Sequence, residues 1–286
     1  MNRSFKTDLF VFATVVILCI SSGCSRSMLR ATPLESPDII PSKERMKKAL
    51  SDAFFNPSLF IGGAALAVFA FSDMDENIAS YISDRNLLFG TEKRAAEASD
   101  YLRAASLGTA ALLYTVKYLP LRQRDQLPYS TDTMTSVPAK YQGPAAGAET
   151  LLLSGLLTAG TTELLKRTTG RLRPDFSDYR SFPSGHTSVT AFANNYSANT
   201  LSSMSLPHHY QYLAQGILCA ATFTTAWARI EARRHYPTDV VAGAMLATFF
   251  GNFAYKAFLG PYQPLDTRFD INVTPEGCDV RLAFQL

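Results

Sequence analysis

Pro183-Ser184-Gly185-His186-Thr187-Ser188-Val189-Thr190-Ala191-Phe192-Ala193-Asn194-Asn195-Tyr196 is the stretch on which the fold turns. Proline and serine ahead of a run without breakers mark a helix start. Ser184 suits the N-cap, where its hydroxyl accepts from a first-turn N–H. Val189, Phe192, Ala193 and Tyr196 then recur on one side at helical spacing. Asn194, Asn195, Ser197, Asn199, Thr200, Ser202 and Ser203 make the remainder polar. Polar groups at that density are costly in hydrocarbon, so this reads as one helix of a water-soluble bundle.

Outward from this helix the same period recurs. Helices are expected at about 144–166, 184–204, 210–230 and 238–258. Before them, Pro57 to Phe71 and Ala95 to Leu119 are helix candidates, the second stopped by Pro120. The apolar run at 59–71 is short of the ~20 residues a membrane span needs, and the apolar stretch 240–254 contains Asn252 and is followed closely by Lys256. Residues 122–143, with Pro128, Pro138 and Gly143, read as a polar loop. In the tail, Phe269, Ile271 and Val273, then Val280, Leu282, Phe284 and Leu286, alternate with polar residues around Pro275-Glu276-Gly277. That is the pattern of a β-hairpin. The expected class is all-α: a bundle of about six helices with a short C-terminal β-hairpin. The expected divisions are an export signal at 1–23, a polar tether at 24–56, a helical domain at 57–260 and the hairpin tail at 261–286.

The N-terminus has the form of a targeting segment. Arg3 and Lys6 precede the apolar run Leu9 to Ile20, which ends in Ser21-Ser22-Gly23-Cys24. Gly23-Cys24 resembles a bacterial lipobox, with Cys24 as the lipidated first mature residue; a plain signal peptide or an uncleaved anchor are the alternatives. Ser25 carries no inner-membrane retention signal. The expected location is therefore the periplasm-facing cell envelope, as an outer-membrane lipoprotein. Cys219 and Cys278 could pair in an oxidising compartment or be unrelated. A net charge of +3 is too mild to argue for nucleic acid. Mean hydropathy near zero is low for a polytopic membrane protein.

The basic residues are concentrated at 166–173 and 229–234. Six residues separate Lys166 from Arg173-Pro174; Pro183-Ser184-Gly185-His186 follows, then Arg229, His235 and Asp239. This ordered triple, over about 150–256, resembles the signature of the type 2 phosphatidic acid phosphatase family, within the acid phosphatase and vanadium haloperoxidase superfamily. The resemblance implies a phosphate clamp of Lys166, Arg173 and Arg229, with Ser184 and Gly185 presenting backbone N–H groups at a helix N-terminus. It implies His235 as the nucleophile, His186 as the general acid and Asp239 as the carboxylate orienting His235. It implies no metal and no cofactor, vanadate being an inhibitor or, in a haloperoxidase, the cofactor. Ala228 replaces the serine usual before the arginine, and the gap from Pro174 to Pro183 is short for the family. Arg233 and Arg234 beside His235 could reach a second phosphate or simply be solvated.

The function expected is an exported, metal-independent phosphatase acting on phosphomonoesters or pyrophosphates through a phosphohistidine. The substrate would be a phosphorylated lipid or a small phosphoester, with the membrane reached through the lipid anchor. A vanadate-dependent haloperoxidase and a non-enzymatic envelope protein are the alternatives.

Overall fold

The computed structural model describes residues 41–118, 144–204 and 206–259, together with the backbone of 267–274 and 277–284. The export segment, Cys24 and the loop at 122–143 lie outside the described residues. Eight α-helices are present among those described: α1 (Lys43–Phe54), α2 (Pro57–Ala70), α3 (Met74–Arg85), α4 (Glu92–Tyr118), α5 (Pro144–Thr169), α6 (Gly185–Ser202), α7 (His208–Glu231) and α8 (Pro237–Ala254). A π-helical turn, Tyr255–Leu259, extends α8.

The expected count of about six is thus too low by α1 and α3. α1 occupies the end of the stretch assigned to the tether. Ser42 caps it by accepting from the Arg45 N–H at 3.2 Å, and Arg45, Ala49 and Ala53 form a buried stripe against α8. α3 carries Asp75 and Glu76 in its first turn and Arg85 in its last, which suits the helix dipole, and it ends at Asn86 with φ 46°. In the tail, Thr267–Thr274 and Gly277–Phe284 pair antiparallel with Val273 opposite Cys278. Their side chains, and with them any Cys219–Cys278 pairing, fall outside the described residues. The fold class established for the body is all-helical.

α6 is the central helix, packed against α4, α5, α7 and α8. Asn194, Ser197 and Thr200 therefore face protein, Asn195 and Asn199 are half-buried, and Ser202 and Ser203 at its end are exposed. Asn194 donates to the Leu218 carbonyl and to Thr222 Oγ1, and Ser188 and Ser197 bond back to the carbonyls of Ser184 and Ala193. Shielded in this way they are not solvated groups that would oppose lipid, and so they do not bear on membrane contact as the sequence suggested. α5 shows the same inversion. Thr150, Ser154, Thr158, Thr162 and Lys166 recur every fourth residue as a buried stripe, while Leu152, Leu156 and Leu164 are exposed. Leu107, Leu112 and Val116 of α4 and Leu213 and Ile217 of α7 also point outward. No single helix among the described residues is long and apolar enough to cross a membrane; α1 and α2, bent by 45° at their junction, pass that test together.

Apolar packing is carried by two clusters. Phe69, Ile78, Ile82, Ile230, Val240 and Val241 join α2, α3, α7 and α8. Ala110, Phe192, Tyr196, Ala244 and Ala247 join α4, α6 and α8. Where α8 crosses the start of α6 the backbones nearly touch: a Cβ on Gly243 would lie 2.6 Å from the Ser184 carbonyl oxygen and 2.9 Å from Ser188 Oγ. Only a residue without a side chain fits there. Gly243→Ala is expected to cost about 1–3 kcal/mol by overpacking, read as a lower denaturant midpoint. An unchanged midpoint would show that the α6–α8 crossing has slack.

Candidate active site

The two ends of this crossing build the site. α7 ends at Glu231, and the chain reverses through Arg233 at φ 53°. The His235 N–H donates to the Arg229 carbonyl at 3.2 Å, which fixes the imidazole just before α8. Pro237 is the first residue of α8, a position where its missing N–H costs nothing. Asp239 is the third residue of α8, and Tyr236 is its N-cap. Its Oδ2 accepts from the Tyr236 N–H at 2.8 Å and from Ser181 Oγ, and its Oδ1 accepts from Arg171 Nη1 at 2.9 Å. The Ser184 N–H donates to the Asp239 carbonyl at 2.9 Å, so the starts of α6 and α8 are joined through this residue.

His235 is buried, with Nδ1 3.5 Å from Asp239 Oδ2. Burial pulls its pKa down to about 4; Asp239 opposes this, and the charges of Arg229 and Lys166 reinforce it. The imidazole is therefore neutral at pH 7, as a nucleophile must be. Asp239 is pulled up by its own burial, but His235, Arg171 and Ser181 outweigh that and hold the carboxyl below its ordinary value. His186 Nε2 lies 2.7 Å from Asp100 Oδ1 on α4. Burial, then Arg229, brings His186 down to about 4 against the pull of Asp100.

Three of the expected clamp residues gather around these histidines. Lys166 closes the hydroxyl stripe of α5, and its Nζ donates to the Arg180 carbonyl at 2.7 Å. Burial, then the charge of Arg173, lowers its pKa to about 8. Arg229 is buried and donates from Nη1 to Ser99 Oγ at 3.2 Å, while its Nε has no hydrogen-bond partner among the described residues. Burial, then Arg173 and Arg234, lowers its pKa to about 10. Arg173 is held by Asp178, Nε to Oδ1, at 2.7 Å. Lys166 and Arg229 thus have no carboxylate partner within ion-pair distance among the described residues. Ser184 is the N-cap of α6 and accepts from the Thr187 N–H. A Cβ on Gly185 would sit 3.7 Å from Lys166 Cε, an ordinary contact, so Gly185 lies directly beside the lysine stem.

Five supporting residues escaped the sequence reading. Arg171 bridges Asp239 and Asp75, and its guanidinium lies 4.0 Å from the centre of the Tyr236 ring. Asp75 binds the Thr238 N–H at 2.8 Å. Ser181 binds Asp239, and Asp100 binds His186. Glu231 accepts from the N–H groups of Leu88 and Phe89 and from Trp227 Nε1, holding the 86–90 turn. Arg171 could have been suspected from its place between Lys166 and Arg173; Asp75 and Asp100 had no local signal. Arg233 pairs with Asp84 and Glu92, and Arg234 with Asp175, so both are engaged in surface ion pairs.

Residues 148–261 match the family model of the PAP2 superfamily. The lipid A 1-phosphatase of Porphyromonas gingivalis (strain ATCC 33277) is 35% identical over 104 residues, which are 36% of this chain and 21% of that protein. The chain thus spans about a fifth of the length of this curated relative. The crystal structure of Aquifex aeolicus LpxE aligns with 64% of this chain and 95% of that one, at 20% identity and a TM-score of 0.37. Over residues 148–261, which carry Lys166, His186, His235 and Asp239, the chain is similar to the PAP2 superfamily.

The buried histidines give the protein a pH-dependent stability. Their ordinary value is 6.5 and their folded values are about 4, so between these the unfolded chain binds more protons. Stability is complete above about 6.5 and is lost as pH falls toward 4; Asp239, depressed from 3.8, adds a further loss below that. Urea midpoints should fall from pH 7 to pH 4, and His235→Gln should flatten part of the slope. A midpoint independent of pH over this range would contradict neutral, buried histidines.

Proposed function

We propose that the protein is an exported, metal-independent phosphatase that hydrolyses phosphomonoesters or pyrophosphates of lipids through a phosphohistidine intermediate. The observation that carries this reading is the pair of buried cations, Lys166 and Arg229, without a carboxylate partner among the described residues. Uncompensated buried charge is expensive, and a phosphoryl group supplies the missing anion. The N-terminus of α6, capped by Ser184, adds N–H groups on the same side.

In the reaction, His235 Nε2 forms a bond to phosphorus while the bond to the leaving ester oxygen breaks. Asp239 faces Nδ1 and stabilises the imidazolium that results. The leaving oxygen takes its proton from His186. His186 is depressed first by burial and then by Arg229, and a bound phosphate dianion offsets that cation and returns the histidine toward protonation. Water then gives a proton to His186 as its oxygen bonds to phosphorus and the P–N bond breaks, which releases inorganic phosphate and regenerates both neutral His235 and the acid form of His186. Asp100 reinforces the acid form of His186 from the other side.

A lipid substrate is supported by the relative named lipid A 1-phosphatase and by the outward leucines of α4, α5 and α7. The Cys24 anchor would hold the domain at the envelope, facing the periplasm.

Phosphate release from phosphatidic acid and from a lipid A 1-phosphate should persist in EDTA and fall by about 10³-fold or more in His235→Ala. Equal rates in both proteins would remove His235 as nucleophile. His186→Ala should cost about 10²–10⁴-fold on an alkyl phosphate and far less on p-nitrophenyl phosphate, whose leaving group needs no proton. Equal losses on the two substrates would remove His186 as the acid.

A further inference from the structure

We infer that Asp75, on α3 and outside the matched segment 148–261, balances the charge of Arg171 so that Asp239 remains the counter-ion of His235. This rests on the phosphohistidine reading above. Asp75 Oδ1 accepts from the Thr238 N–H at 2.8 Å, and its Oδ2 accepts from Thr238 Oγ1 and from Arg171 Nη2, each at 2.6 Å. Arg171 turns its other terminal nitrogen to Asp239 Oδ1 and to Thr238 Oγ1. The guanidinium carbon lies 4.0 Å from the centre of the Tyr236 ring, and the group bridges both carboxylates from that position.

Arg171 alone would neutralise Asp239. The imidazolium formed at His235 would then face the cations Lys166 and Arg229 with no net negative charge from the protein on its Nδ1 side. With Asp75 present, the trio of two carboxylates and one guanidinium carries a single negative charge, which Asp239 presents to His235. The other acidic groups nearby are committed elsewhere: Asp178 to Arg173, Asp100 to His186, and Glu231 to Leu88, Phe89 and Trp227. Asp75 is thus a positioning residue, acting through Arg171 and Asp239 without touching substrate.

The test is a charge-compensation cycle. Asp75→Asn keeps the shape and removes the charge; Asp75→Asn with Arg171→Gln removes both charges and leaves Asp239 as the sole counter-ion. The imidazole ¹⁵N shifts of His235 at pH 7 report the proton on Nδ1 without reference to activity. Asp75→Asn should move them toward a mixed tautomer, and the double variant should restore the wild-type pattern. In phosphate release, the single variant should lose about 10-fold in kcat, the equivalent of one pKa unit of imidazolium stabilisation, at unchanged KM. The double variant should recover most of it. A double variant as impaired as the single in both readouts overturns the inference, since a merely structural role predicts losses that accumulate. If Asp75→Asn does not fold, the double variant, which removes the Arg171 charge along with that of its partner, decides alone: wild-type ¹⁵N shifts uphold the inference and altered ones overturn it. Wild-type protein that releases no phosphate while the shifts follow the cycle would sink the phosphatase reading and leave the charge balance standing.

Discussion

The carboxylate of Asp239 is the constraint on which the rest of the site depends. One oxygen takes the Tyr236 N–H and the Ser181 hydroxyl and faces His235; the other takes Arg171. The carbonyl of the same residue takes the Ser184 N–H. A single residue thus fixes the start of α8, the approach to Pro183, the histidine and the start of α6. These are strong bonds because a buried carboxylate has no water to compete for them. Losing any one of them moves a group on which the geometry of the others depends.

Charge shapes the site as much as geometry does. Arg173 stands close enough to Lys166 and Arg229 to add to the effect of burial in lowering both, and burial with the same cations holds both histidines neutral. Gathering like charges in a buried place destabilises the fold by itself, and the carboxylates around the cluster offset only part of it. The remaining positive field is what favours an anion with two negative charges over a neutral ligand. Binding and activation are coupled through that field. In the proposed reaction, the anion that relieves the cations would also raise the affinity of His186 for the proton it donates.

The parts legible in sequence were those that local pattern encodes. Ser184 as a cap, the helix after it, and the ordered basic and histidine positions follow from residue type and spacing within a few turns. α1 ends a stretch that reads as a tether able to turn helical near Lys43–Ala53; Lys43, Glu44, Lys47 and Lys48 dominate its composition, although Arg45, Ala49 and Ala53 sit at every fourth position. The polar residues of α6 were read as solvated because hydroxyls and amides usually are; here they bond to backbone carbonyls inside a bundle. Asp75 and Asp100 were illegible for a different reason. Each meets its partner across 96 and 86 residues of chain, and a lone aspartate in an ordinary helix carries no sign of what it will face.

Small residues are what allow this charge to be assembled at all. Gly243 lets α8 lie against the backbone of Ser184, and a Cβ on Gly155 of α5 would lie 3.1 Å from the Phe192 ring. Threonine and serine fill the interior of α5 and α6 with side chains short enough to keep these helices close and polar enough to bond back to their own carbonyls. A leucine-filled seam would hold the same helices further apart. The Lys166 stem could then no longer lie beside Gly185, nor could the Ser184 N–H reach Asp239. The inverted interior is therefore a geometric requirement of the site, and the outward leucines are its counterpart.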